Sequence, residues 1–242
     1  MSVSNLYSLG RSFASESPFH PQRFPDLYGG ITRYRAASAN AIYRQEEIAD
    51  CLYYLQQGRI VLKVGSPHGK DAIIGVLGAG AFFGEECLTS RTLRSSTAIC
   101  LIDSLAVRIE KASVVRAIRR DPAFATLYLR WVVGHGDALK ASLISQLTDS
   151  SEQRLARILL QLVNSGDQTA GASVEGFDQE ALAQMVGTTR SRVNFFMTRF
   201  RELGHIEYDD KIAVHESLWR VVTGQDHVGL GAHSTDTGEN EK

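Results

Sequence analysis

The stretch DQEALAQMVGTTRSRVNFFMTRFRELG, residues 178–204, carries the most specific structural pattern in this chain. Asp178 is of a residue type that caps helix N-termini, and Gly187 and Gly204 suit the left-handed conformation in which helices end. The stretch therefore predicts a short helix, a turn at Gly187 and a second helix from about Thr189 that stops at Gly204.

The spacing within this stretch predicts that the two helices cross closely. Ala183, Gly187 and Val193 stand at relative positions 0, 4 and 10. A small residue permits close approach, glycine permits the turn, and valine seats the second helix on the first. Two β-type segments follow within residues 204–216. Together these features predict a helix-turn-helix with a β-hairpin wing.

Positive charge is concentrated on the second helix of this motif, because residues 188–201 hold four arginines and no acidic residue. When such a helix enters the major groove of DNA, its N-terminal side chains reach base edges and flanking arginines bind phosphates. The alternative is a solvated basic face on a structural helix. The candidate DNA-binding residues are Thr188, Thr189, Arg190, Ser191, Arg192, Asn194 and Arg199.

Within this set, Arg190 is the candidate base reader, because its guanidinium can donate two hydrogen bonds to guanine O6 and N7. Ser191 and Asn194 share the same face and are further candidates for base contacts. Arg192 and Arg199 are predicted to bind phosphates. The phenylalanines of the helix are predicted to lie mainly in the core, with one of them free to touch a thymine methyl group: Phe195, Phe196 and Phe200.

A second pattern, GAGAFFGEECLTSRTLRSSTA, occupies residues 78–98 of a region that otherwise has β character. Gly84 lets backbone amides and the Glu85 carboxylate converge on a ribose hydroxyl, while Arg94 and Ser95 suit a phosphate anion. The residues alone leave two interpretations open. The loop either binds a phosphorylated sugar or forms a tight turn with a structural Arg–Glu pair.

Glycine-punctuated β-type segments dominate from about residue 31 to 109, which predicts a barrel, roll or sandwich of short strands. From about residue 113 to 148 the apolar residues follow helical spacing instead. This stripe indicates either a dimer seam or a surface that covers the roll of its own subunit. It is formed by Leu129, Val132, Leu139 and Leu143.

The composition indicates a globular protein. The 242 residues include 26 Lys plus Arg and 27 Asp plus Glu, and 43% are hydrophobic. These proportions exclude a disordered tail protein and a uniformly cationic nucleic-acid coat. The sequence contains no run of about 18 apolar residues and no export signal at its start, so we expect a cytoplasmic protein without membrane contact.

Residues from about 34 to 222 resemble the CRP/FNR superfamily of bacterial transcription regulators. The resemblance rests on YRAASANAIYRQEEIADCLYYLQQGRIVLKV, the turn HGKD, the FFGEE…LRSSTA cassette, RLARILLQL and the winged helix-turn-helix. It implies an α+β fold with an N-terminal antiparallel β-roll of the cyclic-nucleotide-binding type, a long dimerisation helix and a C-terminal winged helix-turn-helix. It also implies a homodimer that binds a palindromic operator in double-stranded DNA, works with RNA polymerase and is not an enzyme.

This organisation divides the chain into five predicted segments. The two ends are predicted to be flexible tails, and the three segments between them are the roll, the long helix and the DNA-binding domain. In chain order the segments are residues 1–27, 28–112, 113–150, 151–223 and 224–242.

The resemblance further implies that the roll binds a cyclic nucleotide, cAMP or cGMP, as an effector that changes the geometry of the two recognition helices in the dimer. Glu85 falls on the family's position for the ribose 2′-hydroxyl, and Arg94 and Ser95 fall on those for the cyclic phosphate. Arg190 falls on the first reading arginine of the recognition helix. The candidate ligand residues are Gly84, Glu85, Arg94, Ser95, Ser96 and Lys140.

Some positions depart from the family pattern. Leu139 and Lys140 stand where cAMP-binding members carry a Thr–Ser pair that reaches adenine, so Ser142 or Lys140 is the candidate for contacting another base, including guanine. In the recognition helix, Ser191 replaces a glutamate and Phe195 replaces the second arginine, so the usual TGTGA half-site is not expected. The sequence therefore also allows a regulator whose DNA binding is independent of any cyclic nucleotide.

Residue types argue against the metal-dependent alternatives. An iron–sulfur cluster of the oxygen-sensing kind would need clustered cysteines before Cys51, and haem would need an axial ligand, for which only His68 and Cys87 are candidates. A cupin-like metalloenzyme would need clustered histidines, but residues 31–112 contain only His68. We therefore expect no metal, no haem and no iron–sulfur cluster.

Overall fold

The computed structural model of the protein describes residues 19–20, 23–65, 71–164, 173–174, 177–208 and 211–226. Within these residues, a β-roll is followed by two consecutive helices and a winged helix-turn-helix, which confirms the predicted α+β class. None of the helices in this part of the chain combines the length and the apolar character needed to cross a bilayer.

The roll is built from eight strands in two four-stranded antiparallel sheets. The strands are β1 Ile31–Ala36, β2 Ala41–Tyr43, β3 Cys51–Gln57, β4 Arg59–Gly65, β5 Asp71–Gly78, β6 Phe82–Phe83, β7 Thr97–Cys100 and β8 Ser104–Glu110. One sheet has the order β1-β8-β3-β6 and the other the order β2-β7-β4-β5. Side chains from both sheets enclose one apolar core between them.

Alternate residues of β3 face two different cores, because successive side chains of a strand point to opposite faces. Cys51, Tyr53 and Leu55 belong to the core between the sheets. Leu52 and Tyr54 belong to a second core, which this sheet shares with the helices that follow the roll. The strand is buried on both faces, and its sequence is accordingly a nearly continuous apolar run.

Phe19, Phe24 and Leu27 are packed in a core, in contrast with the flexible tail predicted for residues 1–27. Phe19 and Phe24 are 4% and 7% exposed. The Phe19 ring centroid lies 4.7 Å from that of Tyr54, and the Phe19 N–H donates to the Tyr54 hydroxyl at 3.1 Å. Burial of large aromatic surfaces offsets the entropy lost on ordering the segment. Residues 1–18 lie outside the described part of the chain.

Two helices replace the single helix predicted for residues 113–150. They are α1 Lys111–Arg120 and α2 Pro122–Thr148. Between them Asp121 is extended, with φ −117° and ψ 99°, and its carboxylate accepts hydrogen bonds from two backbone N–H groups of the first turn of α2. Asp121 acts as an N-cap with proline at the next position, so a new helix starts there.

The winged domain contains α3 Ser151–Asn164, β9 Ser173–Val174, α4 Gln179–Val186, α5 Arg190–Glu202, β10 Ile206–Tyr208, β11 Ile212–Val214 and α6 Trp219–Val222. The Asp178 carboxylate caps α4 by accepting from the Ala181 N–H at 2.7 Å. Gly187 and Gly204 have φ of +71° and +70°, the left-handed conformation that ends α4 and α5. The structure thus confirms the helix-turn-helix predicted from the sequence.

The roll and the winged domain touch directly. Arg59 of β4 is 5% exposed and donates from Nη2 to the Leu162 carbonyl oxygen of α3 at 3.0 Å. Val76 of β5 packs against the apolar core of the winged domain. Strands β4 and β5 therefore support the winged domain of the same chain.

The start of the predicted C-terminal tail, residues 224–242, is also ordered by contacts. The Gln225 N–H donates to the Arg220 carbonyl oxygen at 2.8 Å, and the Asp226 carboxylate lies 3.4 Å from His205 Nε2. Residues 224–226 therefore belong to the winged domain, and residues 227–242 lie outside the described part of the chain.

The packing of Phe19 predicts a measurable loss of stability in Phe19→Ala. We expect the free energy of unfolding to fall by about 3–5 kcal/mol, because a buried aromatic side chain is replaced by a cavity. Phe195→Ala is the control, since Phe195 is 50% exposed. Chemical denaturation of both variants measures the difference, and equal stabilities would show that the Phe19 segment is not part of the folded core.

Candidate anion site and DNA interface

Arg94 is buried inside the roll and is held by backbone carbonyls. Its side chain is 1% exposed. Nη1 donates to the Gly84 carbonyl oxygen and Nη2 to the Cys51 carbonyl oxygen, both at 2.8 Å. Because Gly84 follows β6 and Cys51 begins β3, the guanidinium links two separate segments of the chain through their backbone carbonyl groups. Arg94 is therefore a structural residue of the roll.

Aromatic rings cover the Arg94 guanidinium. Its Cζ lies 4.4 Å from the centroid of the Tyr43 ring and 5.7 Å from that of Tyr53. The Tyr53 ring stacks on Phe83 at a centroid distance of 5.0 Å. Burial raises the pKa of Tyr43 and of Tyr53, so both phenols are neutral at physiological pH. Cation–π contacts of this kind stabilise a guanidinium that has lost its water.

The Glu86 carboxylate accepts hydrogen bonds from Ser95, which the sequence analysis predicted to bind a phosphate. The Ser95 hydroxyl donates to Glu86 Oε1 at 2.5 Å, and the Ser95 N–H donates to the same oxygen at 3.2 Å. Glu86 Oε2 lies 3.7 Å from Arg94 Nη1. In this arrangement the residues do not fit a bound cyclic phosphate, because a carboxylate of the protein already lies at the Ser95 donors.

Glu86 was not among the residues predicted from the sequence. The sequence feature that could have indicated it is the pair of adjacent acids Glu85–Glu86 after Gly84. Gly84 is left-handed and begins a short 3-10 helix, Glu85–Leu88. The backbone conformation of this turn, which the sequence does not specify, decides that the second acid meets Ser95.

Glu85, the candidate for the ribose hydroxyl, is a partly buried carboxylate with a raised pKa. Burial is the largest cause, the charge of Glu86 adds to the rise, and the charge of Arg94 opposes it. Ser96 is 2% exposed and lies beside Tyr43. The structure thus brings five of the six candidate ligand residues into one region: Gly84, Glu85, Arg94, Ser95 and Ser96.

Lys140, the sixth candidate, points to the surface in this structure. Its side chain is 77% exposed, and Nζ lies 3.2 Å from Asp137 Oδ1, one turn earlier on α2. The part of α2 that contacts the sheet lies nearer its N-terminus, where the Tyr128 and Trp131 rings are 5.5 and 5.6 Å from Phe82. Within one subunit, Lys140 therefore does not join the cassette.

The N-terminus of α5 presents the predicted DNA-binding residues to solvent. Thr189 is the N-cap, and its side chain accepts from the Arg192 N–H at 3.3 Å. Arg190, Ser191, Arg192 and Asn194 are all exposed. Val193 and three other side chains of α5 are buried in the domain core instead. The helix thus has an apolar face that fixes its position and a polar face that is free to contact DNA.

Neighbouring side chains restrict several members of this polar face. The Arg192 guanidinium lies 5.8 Å from the centroid of the Phe196 ring, and Asn194 Oδ1 accepts from Gln179 Nε2 of α4 at 3.1 Å. Arg199 pairs with Glu202 at 3.3 Å. These contacts restrict the conformations of the three side chains in the free protein.

Thr188 and Phe195 complete the description of the interface. Thr188 is half-buried, and its N–H donates to the Ala183 carbonyl oxygen at 3.0 Å in the turn. Phe196 and Phe200 are buried as predicted, but Phe195 is 50% exposed, so it is not a core residue. Helix α5 packs only one of its faces against the domain core, and Phe195 lies outside that face.

The described residues contain no group of three or more His, Cys, Asp or Glu side chains that could hold a metal ion. The three cysteines are buried and unpaired: Cys51, Cys87 and Cys100. Burial raises the pKa of all three thiols, so they are neutral and poor metal ligands at physiological pH. His68, the histidine weighed for haem and for a metalloenzyme, lies outside the described residues.

The close approach of Arg94 to Gly84 predicts a destabilising effect of Gly84→Ala. Gly84 has φ +78°, and a Cβ at this position would lie 2.5 Å from Arg94 Nη1. We expect the backbone strain to cost about 1–3 kcal/mol and the displacement of the guanidinium to add to it. Gly80→Ala is the matched control, since Gly80 has φ +95° but no neighbour within 4 Å. Equal losses in denaturation experiments would contradict the tight contact with Arg94.

Two family models match this chain. A cyclic nucleotide-binding domain model matches residues 35–121, and a Crp-like helix-turn-helix domain model matches residues 153–216. The first match spans the cassette and the second spans α4 and α5. Together they cover more than half of the chain, in the order of the two regions described above.

Relatives with the same organisation are known. A "CRP-like cAMP-activated global transcriptional regulator" of Mycobacterium tuberculosis is 26% identical over 175 residues, which are 71% of this chain and 78% of the relative.

Solved structures share the fold. FixK2 from Bradyrhizobium japonicum has a TM-score of 0.68 at 17% identity and covers 80% of this chain and 96% of its own. A CRP-family transcriptional regulator from Thermus thermophilus has a TM-score of 0.67 at 21% identity and covers 78% and 96%. From the two family matches, the curated relative and the shared fold, the chain belongs to the CRP/FNR family of transcription regulators and is not an enzyme.

Proposed function

We propose that this regulator is a homodimer that binds a palindromic operator in double-stranded DNA, with α5 of each subunit in the major groove. The observation that carries the proposal is the exposed N-terminus of α5, where Arg190, Ser191 and Arg192 are all accessible. The formal net charge of the chain is only −1, so the attraction to DNA depends on this local cluster of arginines.

Each residue of this surface has a role in the proposal. Arg190 donates to a guanine edge, while Ser191 and Asn194 contact neighbouring bases. Arg192 binds a phosphate. Phe195, exposed at the position where relatives carry a second reading arginine, offers an apolar ring to a thymine methyl group.

Thr188, Thr189 and Arg199 support the same surface. The backbone of the turn places Thr188 and Thr189 at the start of α5, where N–H groups of a helix N-terminus attract a phosphate. Arg199 is the weaker phosphate contact, because its guanidinium already pairs with Glu202.

The second subunit covers an apolar stripe on α2. Seven large apolar side chains of this helix are 40–76% exposed in the single chain: Leu129, Val132, Val133, Leu139, Leu143, Ile144 and Leu147. A contiguous apolar surface of this kind marks a site of association. The spacing of 3 and 4 residues along the stripe is that of two helices that pack side by side, so the occupant is α2 of a second copy.

A parallel pair of α2 helices would place the two DNA-binding domains on the same side of the dimer. Two recognition helices read successive half-sites when they lie about 34–36 Å apart, so the geometry of the pair sets the affinity for DNA. In this proposal the regulator is cytoplasmic, where it meets DNA, and RNA polymerase is its partner at promoters.

Two modes of control remain compatible with family membership. In the first, a cyclic nucleotide between the roll and α2 changes the distance between recognition helices, as the description of the M. tuberculosis relative as cAMP-activated suggests. In the second, DNA binding needs no cyclic nucleotide. The contact between Glu86 and Ser95 favours the second mode, because it uses the donors that the nucleotide would need.

The roles of Arg190 and Arg192 predict different losses. Arg190→Ala should weaken operator binding by about 1–3 kcal/mol and relax specificity at one base pair. Arg192→Ala should weaken binding to all sequences and reduce the slope of log K against log salt by about 1. Titrations with an operator obtained by in vitro selection, over a series of salt concentrations, measure both. Arg119→Ala replaces an exposed arginine of α1 and should change neither the operator affinity nor the salt slope. If Arg190→Ala affected all sequences and Arg192→Ala affected one base pair, the proposed orientation of α5 in the groove would be wrong.

The dimer predicts that Leu143→Asp is monomeric. Leu143 is 60% exposed in the single chain, and an aspartate there would bury a charge between two helices. We expect sedimentation to show half the mass of the wild-type dimer and operator affinity to fall at least tenfold. Ile118→Asp, which changes an exposed apolar residue of α1, should remain dimeric. A dimeric Leu143→Asp would place the interface elsewhere.

A further inference from the structure

The cassette contains both an anion-binding pair, Arg94 and Ser95, and an anion, Glu86. We propose that the Glu86 carboxylate is the resident anion of this site and excludes the phosphate of a cyclic nucleotide from it. The proposal concerns the roll alone and does not depend on how the winged domain contacts DNA.

The hydrogen bonds at the site are those that a phosphate oxygen would make. Glu86 Oε1 accepts from both the N–H and the hydroxyl of Ser95, at 3.2 and 2.5 Å. Charge-assisted bonds to a carboxylate are short and strong. A phosphate oxygen at the same place would have to break both of them, so the two anions compete for one pair of donors.

The charge of the site is also already balanced. Glu86 Oε2 lies 3.7 Å from Arg94 Nη1, and the side chains are 13% and 1% exposed. A cyclic phosphodiester brings one further negative charge next to Glu86 and to the half-buried Glu85. Because few water molecules screen these groups, the repulsion between the anions is larger than it would be on the surface.

The roll does not need a ligand to keep Arg94 in place. Two backbone carbonyl oxygens, those of Gly84 and Cys51, accept from its terminal nitrogens at 2.8 Å. The Tyr43 ring covers the guanidinium at 4.4 Å. A phosphate would have to replace partners that Arg94 already has. The free energy gained is only the difference between the new partners and the present ones, so we expect it to be small.

Displacement of Glu86 from the site has a specific cost. Its Oε1 would lose both hydrogen bonds to Ser95. The carboxylate would then have to reach solvent from a 3-10 helix whose next residue, Cys87, is fully buried. Glu86 is therefore the residue whose replacement should open the site.

The experiment measures cyclic nucleotide binding by the full-length protein with cAMP and with cGMP in separate calorimetric titrations. The variants are Glu86→Ala, which empties the site, and Glu86→Gln, which keeps the side-chain shape and removes the charge. Glu110→Gln is the control, because it removes one charge from an exposed glutamate at the end of β8. Glu86→Ala combined with Ser95→Ala tests whether any new binding uses the same donors.

We expect the wild type and Glu110→Gln to bind neither nucleotide with a Kd below about 1 mM. Glu86→Ala should bind at least one of them at least tenfold more tightly, Glu86→Gln should show a smaller gain, and Ser95→Ala should abolish the gain. Operator binding, measured in parallel without nucleotide, reports separately on the proposed function.

Three results would overturn the proposal. They are wild-type binding as tight as that of Glu86→Ala, no binding by any variant, or a gain that persists after Ser95→Ala. If Glu86→Ala does not fold, the comparison of Glu86→Gln with the wild type decides, and an absent gain counts against the proposal.

Discussion

A buried positive charge constrains the whole roll. A guanidinium cannot lie inside an apolar core unless its charge and most of its donors are satisfied. Arg94 meets this condition through two carbonyl oxygens, a carboxylate and the faces of two aromatic rings. A Cβ at Gly84 would lie 2.5 Å from Arg94 Nη1, so this position has no room for a side chain. The cassette thus contributes to the packing of the roll whether or not it binds a ligand.

The two surfaces proposed for dimerisation and for DNA binding lie outside the roll and have opposite chemistry. The apolar stripe of α2 is exposed in the single chain and suits another copy of itself, while the polar face of α5 suits a polyanion. Between them, Arg59 of β4 reaches the carbonyl of Leu162 in α3. In the proposed dimer, this contact connects the roll with the winged domain of its own subunit, in addition to the connection through α2.

Most of the fold could be predicted from local patterns. The helix-turn-helix followed from the caps and spacing of Asp178, Ala183, Gly187 and Val193, because each has a local physical role. The prediction of a flexible tail over residues 1–27 differed from the structure because it depended on distant contacts. The N-terminal segment packs because Tyr54, Phe82 and Phe124 form an aromatic surface that receives Phe19, and no local feature of residues 1–27 could reveal that surface.

The candidate site separates what the sequence determined by itself from what only the tertiary structure decided. Residue types and their spacing predicted the helix-turn-helix and a cassette with an arginine and hydroxyl groups, and the resemblance of these motifs to a known family indicated the family. They did not distinguish Glu85 from Glu86, because two adjacent acids are equivalent until the turn after Gly84 directs one of them to Ser95. The tertiary structure alone decided that the anion next to Arg94 comes from the chain itself, because the position of a charge in a folded protein depends on backbone conformation and on neighbours distant in sequence.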